Sequence, residues 1–158
     1  SPQMKETYLV VVGDDAQRGR YQALAEDRTH GKAVFVGRRD DVETYYGAAD
    51  LLALPAVQEA FGNVVLEALA AGLPTVVSRT AGASEILKGR LAEGIISHPE
   101  DPNEMTAKLL AMLERGRDAS FSLEARKLAE GYSWSKHFRK LDTFLKSIVE
   151  QDGSVSTS

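Results

Sequence analysis

Glu59 and Glu67 stand with seven residues between them, in the run Glu59-Ala60-Phe61-Gly62-Asn63-Val64-Val65-Leu66-Glu67. The pattern predicts a loop acid, a helix start at Gly62–Asn63, and a second acid about one turn into that helix. A helix start beside a glycine offers backbone N–H groups and the positive end of a dipole, which suits a phosphate. Carboxylates cannot hold that phosphate. They can accept hydrogen bonds from sugar hydroxyls on either side of it. Acid, phosphate-sized helix start, acid: this order matches a sugar nucleotide lying across the end of a sheet.

The rest of the chain must position that run. Tyr8 to Gly13 is an apolar, β-branched stretch and predicts a strand buried on both faces, as in a parallel sheet. Further strands are expected at 33–36, 51–54, 75–78 and, shorter, 94–97. Helices are expected at 17–28, 42–49, 63–71, 84–88, 101–115, 120–130 and 133–149. The helix over 63–71 is apolar nearly all round, which predicts deep burial. Gly72 and Pro74 end it. Strands alternating with helices give an α/β fold: a Rossmann-like parallel sheet with helices on both faces. Ligands in such sheets bind beyond the C-terminal ends of the strands. The loops 13–15, 37–39 and 55–62 gather there in this reading. Residues 1–150 read as one domain and 151–158 as a polar, disordered tail.

Composition removes several classes. The chain has 158 residues, 43% hydrophobic and 27% charged, as in ordinary globular proteins. A formal net charge of −4 leaves no polybasic footprint for nucleic acid. No apolar run reaches the roughly 18 residues of a membrane span, and no signal peptide is visible. There are no cysteines, which excludes disulfides and fits a cytoplasmic location. His30, His98 and His137 are scattered and lack metal-ligand spacing. No Asp-x-Asp follows a strand, so no metal and no cofactor are expected.

Several segments resemble the retaining GT-B glycosyltransferases of family 4 (glycosyl transferases group 1). Pro55, Glu59-Ala60-Phe61-Gly62, Glu67-Ala68 and Ala71-Gly72-Leu73-Pro74 are similar to that family's EX7E motif. Val10 to Asp14 resembles its strand ending in Gly-Asp. Val34-Phe35-Val36-Gly37, followed by Asp41-Val42, resembles its Phe-x-Gly segment. Ala48-Ala49-Asp50 and Tyr132-Ser133-Trp134 are also similar to family positions. The match runs in order over about residues 8 to 149. Gly13-Asp14-Asp15 and Gln58-Glu59-Ala60 resemble most the lipopolysaccharide-core glucosyltransferase branch.

The resemblance implies the C-terminal, donor-binding half of a two-domain fold. It implies a nucleotide diphosphate sugar, a UDP-hexose, as donor and a glycan or glycolipid as acceptor. Glu67 would accept from the two ribose hydroxyls. Glu59, in the catalytic position, would hold hexose hydroxyls and steady charge near the anomeric carbon. Phe61, Gly62, Asn63 and Val64 would bind by backbone N–H, with Gly62 needed for close approach. Gly37, Arg38 and Arg39 would meet the base, an Arg guanidinium lying over the ring. Each has a plainer alternative: a carboxylate in the first turns of a helix, a loop acid, a loop-to-helix turn, a solvated arginine pair. Trp134 reads as a packing anchor. The family's loop carrying an Arg and a Lys for the diphosphate has no counterpart in Ser1 to Thr7, where only Lys5 is cationic. The chain is therefore expected to need an N-terminal acceptor domain for turnover, and any peripheral membrane association is expected to come through that half.

Two other readings are possible from the same residues. Asp14 and Asp15 after the first strand resemble the Mg²⁺-binding pair of receiver domains. Asp50 precedes its strand and no Lys-Pro pair exists, which argues against that. A non-catalytic Rossmann-like interaction module, pairing through an exposed sheet edge, stays open. The sequence leaves the oligomeric state open as well.

Overall fold

The computed structural model describes residues 7–14 and 19–153. The chain divides into two compact units, Ser1–Tyr45 and Tyr46–Ser158.

In the first unit, β1 (Leu9–Val12) pairs in parallel with β2 (Ala33–Gly37), and α1 (Arg20–Thr29) connects them. α1 leaves through His30 and Gly31, both in the left-handed region, at φ 51° and 80°. The register shifts between Val11 and Val12, and the Gly13 N–H donates to the Gly37 carbonyl at 3.0 Å. β1 is not buried on both faces, as its composition predicted: Leu9 is 52% exposed, and Val10 and Val12 are exposed too. Among the described residues of this unit, one partner strand and one short helix lie beside β1, too little to cover both its faces.

α2 (Val42–Ala48) leads into the second unit. There, β3 (Leu52–Leu54), β4 (Thr75–Ser78) and β5 (Ile95–Ile96) form a parallel sheet in the order β3-β4-β5. β4 is its central strand and all four of its residues are buried, the pattern that a continuous apolar run predicts. α3 (Asn63–Ala70) crosses from β3 to β4, and α4 (Pro102–Arg115) packs on β4 and β5. α5 (Ala119–Gly131) packs along α3. Val65, Leu69, Val76, Val77, Ile96, Met112 and Phe121 form the core between them. The helix expected over 84–88 is a 3-10 turn at Gly82–Ile86, and a second follows at Gly89–Gly94. Asp101 caps α4 by accepting from the Asn103 N–H at 2.8 Å, with Pro102 in the first turn. Asp118 caps α5 through the Phe121 N–H at 2.7 Å.

α6 (Trp134–Gly153) is exposed along its described side chains and extends past the predicted end at Val149. Residues 151–153 of the expected tail are helical, and 154–158 lie outside the described residues. Trp134 is not a packing anchor. It is 68% exposed, and its ring lies against His137 and Phe138 of its own helix. Among the described residues no helix is long and apolar enough to cross a membrane.

Candidate functional site

The loop from Pro55 to Gly62 leaves the C-terminal end of β3 and is stitched to the loop that leaves β4. The Thr80 hydroxyl donates to the Ala56 carbonyl at 2.8 Å. The Ala83 N–H donates to the Phe61 carbonyl at 2.7 Å, and the Gly82 N–H reaches the Glu59 carbonyl at 3.4 Å. Glu59 thereby makes an isolated parallel bridge to Ala81. Gly82 is what allows this closeness: a Cβ there would lie 2.4 Å from the Ala60 carbonyl oxygen. The sequence reading missed Gly82; its signal was a glycine between two alanines just after a strand.

Glu59 is half-buried in this loop. Its Oε1 accepts from the Phe61 N–H at 3.4 Å, so that N–H is directed at Glu59 itself. Gly62 is the N-cap of α3, with φ 87° and ψ 64° and no side-chain cap. The structure supplies its own reason for a glycine: a Cβ would lie 2.9 Å from Leu54 Cδ2 and 3.3 Å from Glu59 Cγ. The expected reason was room for a ligand; the contacts in the structure are with the protein.

α3 corrects the prediction of a helix buried all round. Val65, Ala68 and Leu69 are buried, but Asn63, Val64, Glu67 and Ala70 are exposed. Glu67 lies three or four positions from each of the other three, so the four share one face. The C-terminal end is held by a Schellman motif: the Gly72 N–H donates to Leu69 and the Leu73 N–H to Ala68, both at 2.9 Å. Gly72, at φ 73°, also lets α5 approach, and the Ser122 hydroxyl donates to its carbonyl at 3.0 Å.

Glu67 has a partner that the sequence reading did not assign. The Tyr46 hydroxyl donates to Glu67 Oε2 at 2.8 Å. Burial, then the bond to Glu67 and its charge, push the Tyr46 phenol well above its ordinary value, so it remains a donor. The sequence signal for this contact is a phenolic O–H on the short helix before β3. Arg117 braces the same region. It donates to the carbonyls of Gly47, Tyr46 and Ala71 at 2.8, 3.0 and 3.1 Å.

Glu59, Phe61, Gly62, Asn63, Val64 and Glu67 thus share the second unit, on and just before α3. Gly37, Arg38 and Arg39 belong to the first unit, at the C-terminal end of β2. Gly37 is left-handed at φ 68°, its carbonyl taken by Gly13, and both arginines are exposed. Asp14 follows β1, while Asp15 and Lys5 lie outside the described residues. The His98 backbone N–H donates to Glu104. Among the described residues no group of three acids or histidines is placed to hold a metal ion.

Parallel strands flanked by helices, with an acid-bearing loop and helix start after β3, define one half of a GT-B fold. The chain belongs to the glycosyl transferases group 1 family, whose profile matches residues 2–115. It is 31% identical over 150 residues to an uncharacterized glycosyltransferase of Methanocaldococcus jannaschii, covering 92% of this chain and 38% of that protein. It is 39% identical over 108 residues to the lipopolysaccharide glucosyltransferase WaaG of Escherichia coli, covering 66% of this chain and 29% of that protein. The crystal structure of WaaG, a glycosyltransferase involved in lipopolysaccharide biosynthesis, superposes with a TM-score of 0.63 at 32% identity, over 81% of this chain and 34% of that one. Anabaena HepE in complex with UDP-glucose shares the fold, with a TM-score of 0.71 at 23% identity, over 89% of this chain and 41% of that one. The chain therefore spans well under half the length of these relatives.

Proposed function

We propose that this chain is the donor-binding half of a retaining hexosyltransferase that uses a UDP-hexose. The observation that carries the reading is the exposed face of α3, with Glu67 one turn in from a glycine helix start and Glu59 in the loop before it. The phosphates meet the N-terminal end of α3 and the N–H groups of Asn63 and Val64. Glu67 accepts from the ribose hydroxyls. Glu59 accepts from hexose hydroxyls and opposes positive charge developing at the anomeric carbon. Gly37, Arg38 and Arg39 serve the base. No metal has a role in this reading. The family membership and the likeness to WaaG support a glucosyl transfer to a glycolipid or glycan core, on the cytoplasmic side. Transfer itself requires an acceptor-binding part, so the 158-residue chain binds donor without turning it over.

Calorimetry with UDP and UDP-glucose tests this. Glu67→Ala is expected to weaken binding of both strongly and by the same factor. Glu59→Ala is expected to weaken UDP-glucose and leave UDP unchanged. Equal loss of UDP in both variants would overturn that division of roles. Folded protein that binds neither ligand at millimolar concentration would instead favour a non-catalytic interaction module.

A further inference from the structure

We infer that Tyr46 is a positioning residue for Glu67, and that Arg117 braces Tyr46 in that task. The inference rests on the proposed role of Glu67 as ribose ligand. A carboxylate has about four lone-pair directions, and the phenol occupies one of them, on Oε2. Oε1 stays available for a vicinal pair of hydroxyls. Glu67 is otherwise an exposed side chain on a helix face and, untethered, would sample several rotamers. The phenol is well suited to hold it, because it is half-buried and keeps its proton.

Tyr46 needs its own anchor, because it sits at the end of a short helix. Arg117 supplies one. One guanidinium joins the carbonyls of Tyr46 and Gly47, at the end of α2, to that of Ala71, at the end of α3. The cation also meets the negative end of α3. The path from Arg117 through Tyr46 to Glu67 therefore leads from the C-terminal end of α3 back to its exposed face. None of these contacts is required to fill the core, since Tyr46 is half-buried and Arg117 lies at the surface.

The test is calorimetry of the 158-residue chain with UDP and with 2′,3′-dideoxy-UDP, which lacks the ribose hydroxyls. Tyr46→Phe is expected to raise the Kd for UDP by about three- to tenfold, the cost of ordering one long side chain. It should leave the dideoxy nucleotide unchanged and add nothing in a Glu67→Ala background. Arg117→Gln should show the same ligand dependence and be non-additive with Tyr46→Phe, which secures the test if Tyr46→Phe folds poorly. Equal weakening of both nucleotides would mean that Tyr46 only supports the fold, and would overturn the inference. So would an unchanged Kd for UDP in Tyr46→Phe while Glu67→Ala loses binding. A Glu67→Ala variant that binds UDP like wild type would overturn the ribose role itself, a separate result.

Discussion

A methyl group added at position 62 separates two reasons for the glycine there. Gly62 has φ 87°, and an L-residue in the left-handed region costs about 1–2 kcal/mol. The new Cβ would also lie 2.9 Å from Leu54 Cδ2 and 3.3 Å from Glu59 Cγ. Leu54 presents the end of a flexible, half-buried side chain, so relief is possible, and the crowding adds about 1 kcal/mol. Gly62→Ala should therefore lose about 2–3 kcal/mol without any ligand present. With a urea slope of about 1–3 kcal/mol per molar, the unfolding midpoint should fall by roughly 0.7–3 M. Far-UV circular dichroism in urea reads this directly. Gly62→Asn is the control: asparagine tolerates the left-handed region, so only the crowding remains and the loss should be smaller. An unchanged midpoint in Gly62→Ala, together with weaker UDP binding, would refute the reasoning. It would show that the glycine serves ligand approach alone, as the sequence first implied.

Two further outcomes are expected. Gly82→Ala puts its methyl 2.4 Å from the Ala60 carbonyl oxygen and 3.2 Å from Phe61 Cα. Backbone cannot swing aside, so the loop bearing Glu59 must shift; UDP-glucose binding should weaken more than UDP binding, and equal effects would contradict that. Glu104 accepts from the backbone N–H groups of Ser97 and His98 at 2.8 Å each, which holds its carboxyl below the ordinary value. A group lowered on folding stabilises above its unfolded pKa and loses that contribution as pH falls through the folded one. The melting-temperature gap between wild type and Glu104→Gln should thus be full at neutral pH and close below about pH 4; a gap as wide at pH 3 would count against this.

The elements were legible where one short-range signal decides them. β4 stands where its apolar run placed it, and α4 begins where Asp101 and Pro102 predicted. Family membership was legible in the loop and helix around Glu59 and Glu67, because backbone geometry there demands particular residues. Burial was less legible. The apolar composition of β1 and α3 predicted covered faces, yet burial depends on what packs alongside, which no local pattern contains. Among the described residues β1 has a single partner strand, and α3 meets α5 and the sheet on one side only. The 3-10 turns after β4 were hidden for a related reason: their course follows the contact of Gly82 with Ala60, 22 positions earlier in the chain. Tyr46 and Arg117 escaped the sequence reading because their partners, Glu67 and Ala71, lie 21 and 46 positions away.

The exposed face of α3 is best understood through what fixes the helix. Packing alone would favour turning Val64 and Ala70 inward, and eight residues make a helix short enough to rotate. It cannot do so here. Gly62 in the left-handed region sets the entry, and the Schellman motif at Gly72 sets the exit. Arg117 and Ser122 then tie that exit to neighbouring backbone. A helix clamped at both ends keeps one face in water whatever its composition. Asn63 and Glu67 are held on that face before any ligand arrives, so little of the binding free energy is lost to ordering. Loosening either clamp should therefore weaken a ligand on this face even where no contacting residue has changed. Under the proposed donor role, this is how a binding platform would behave.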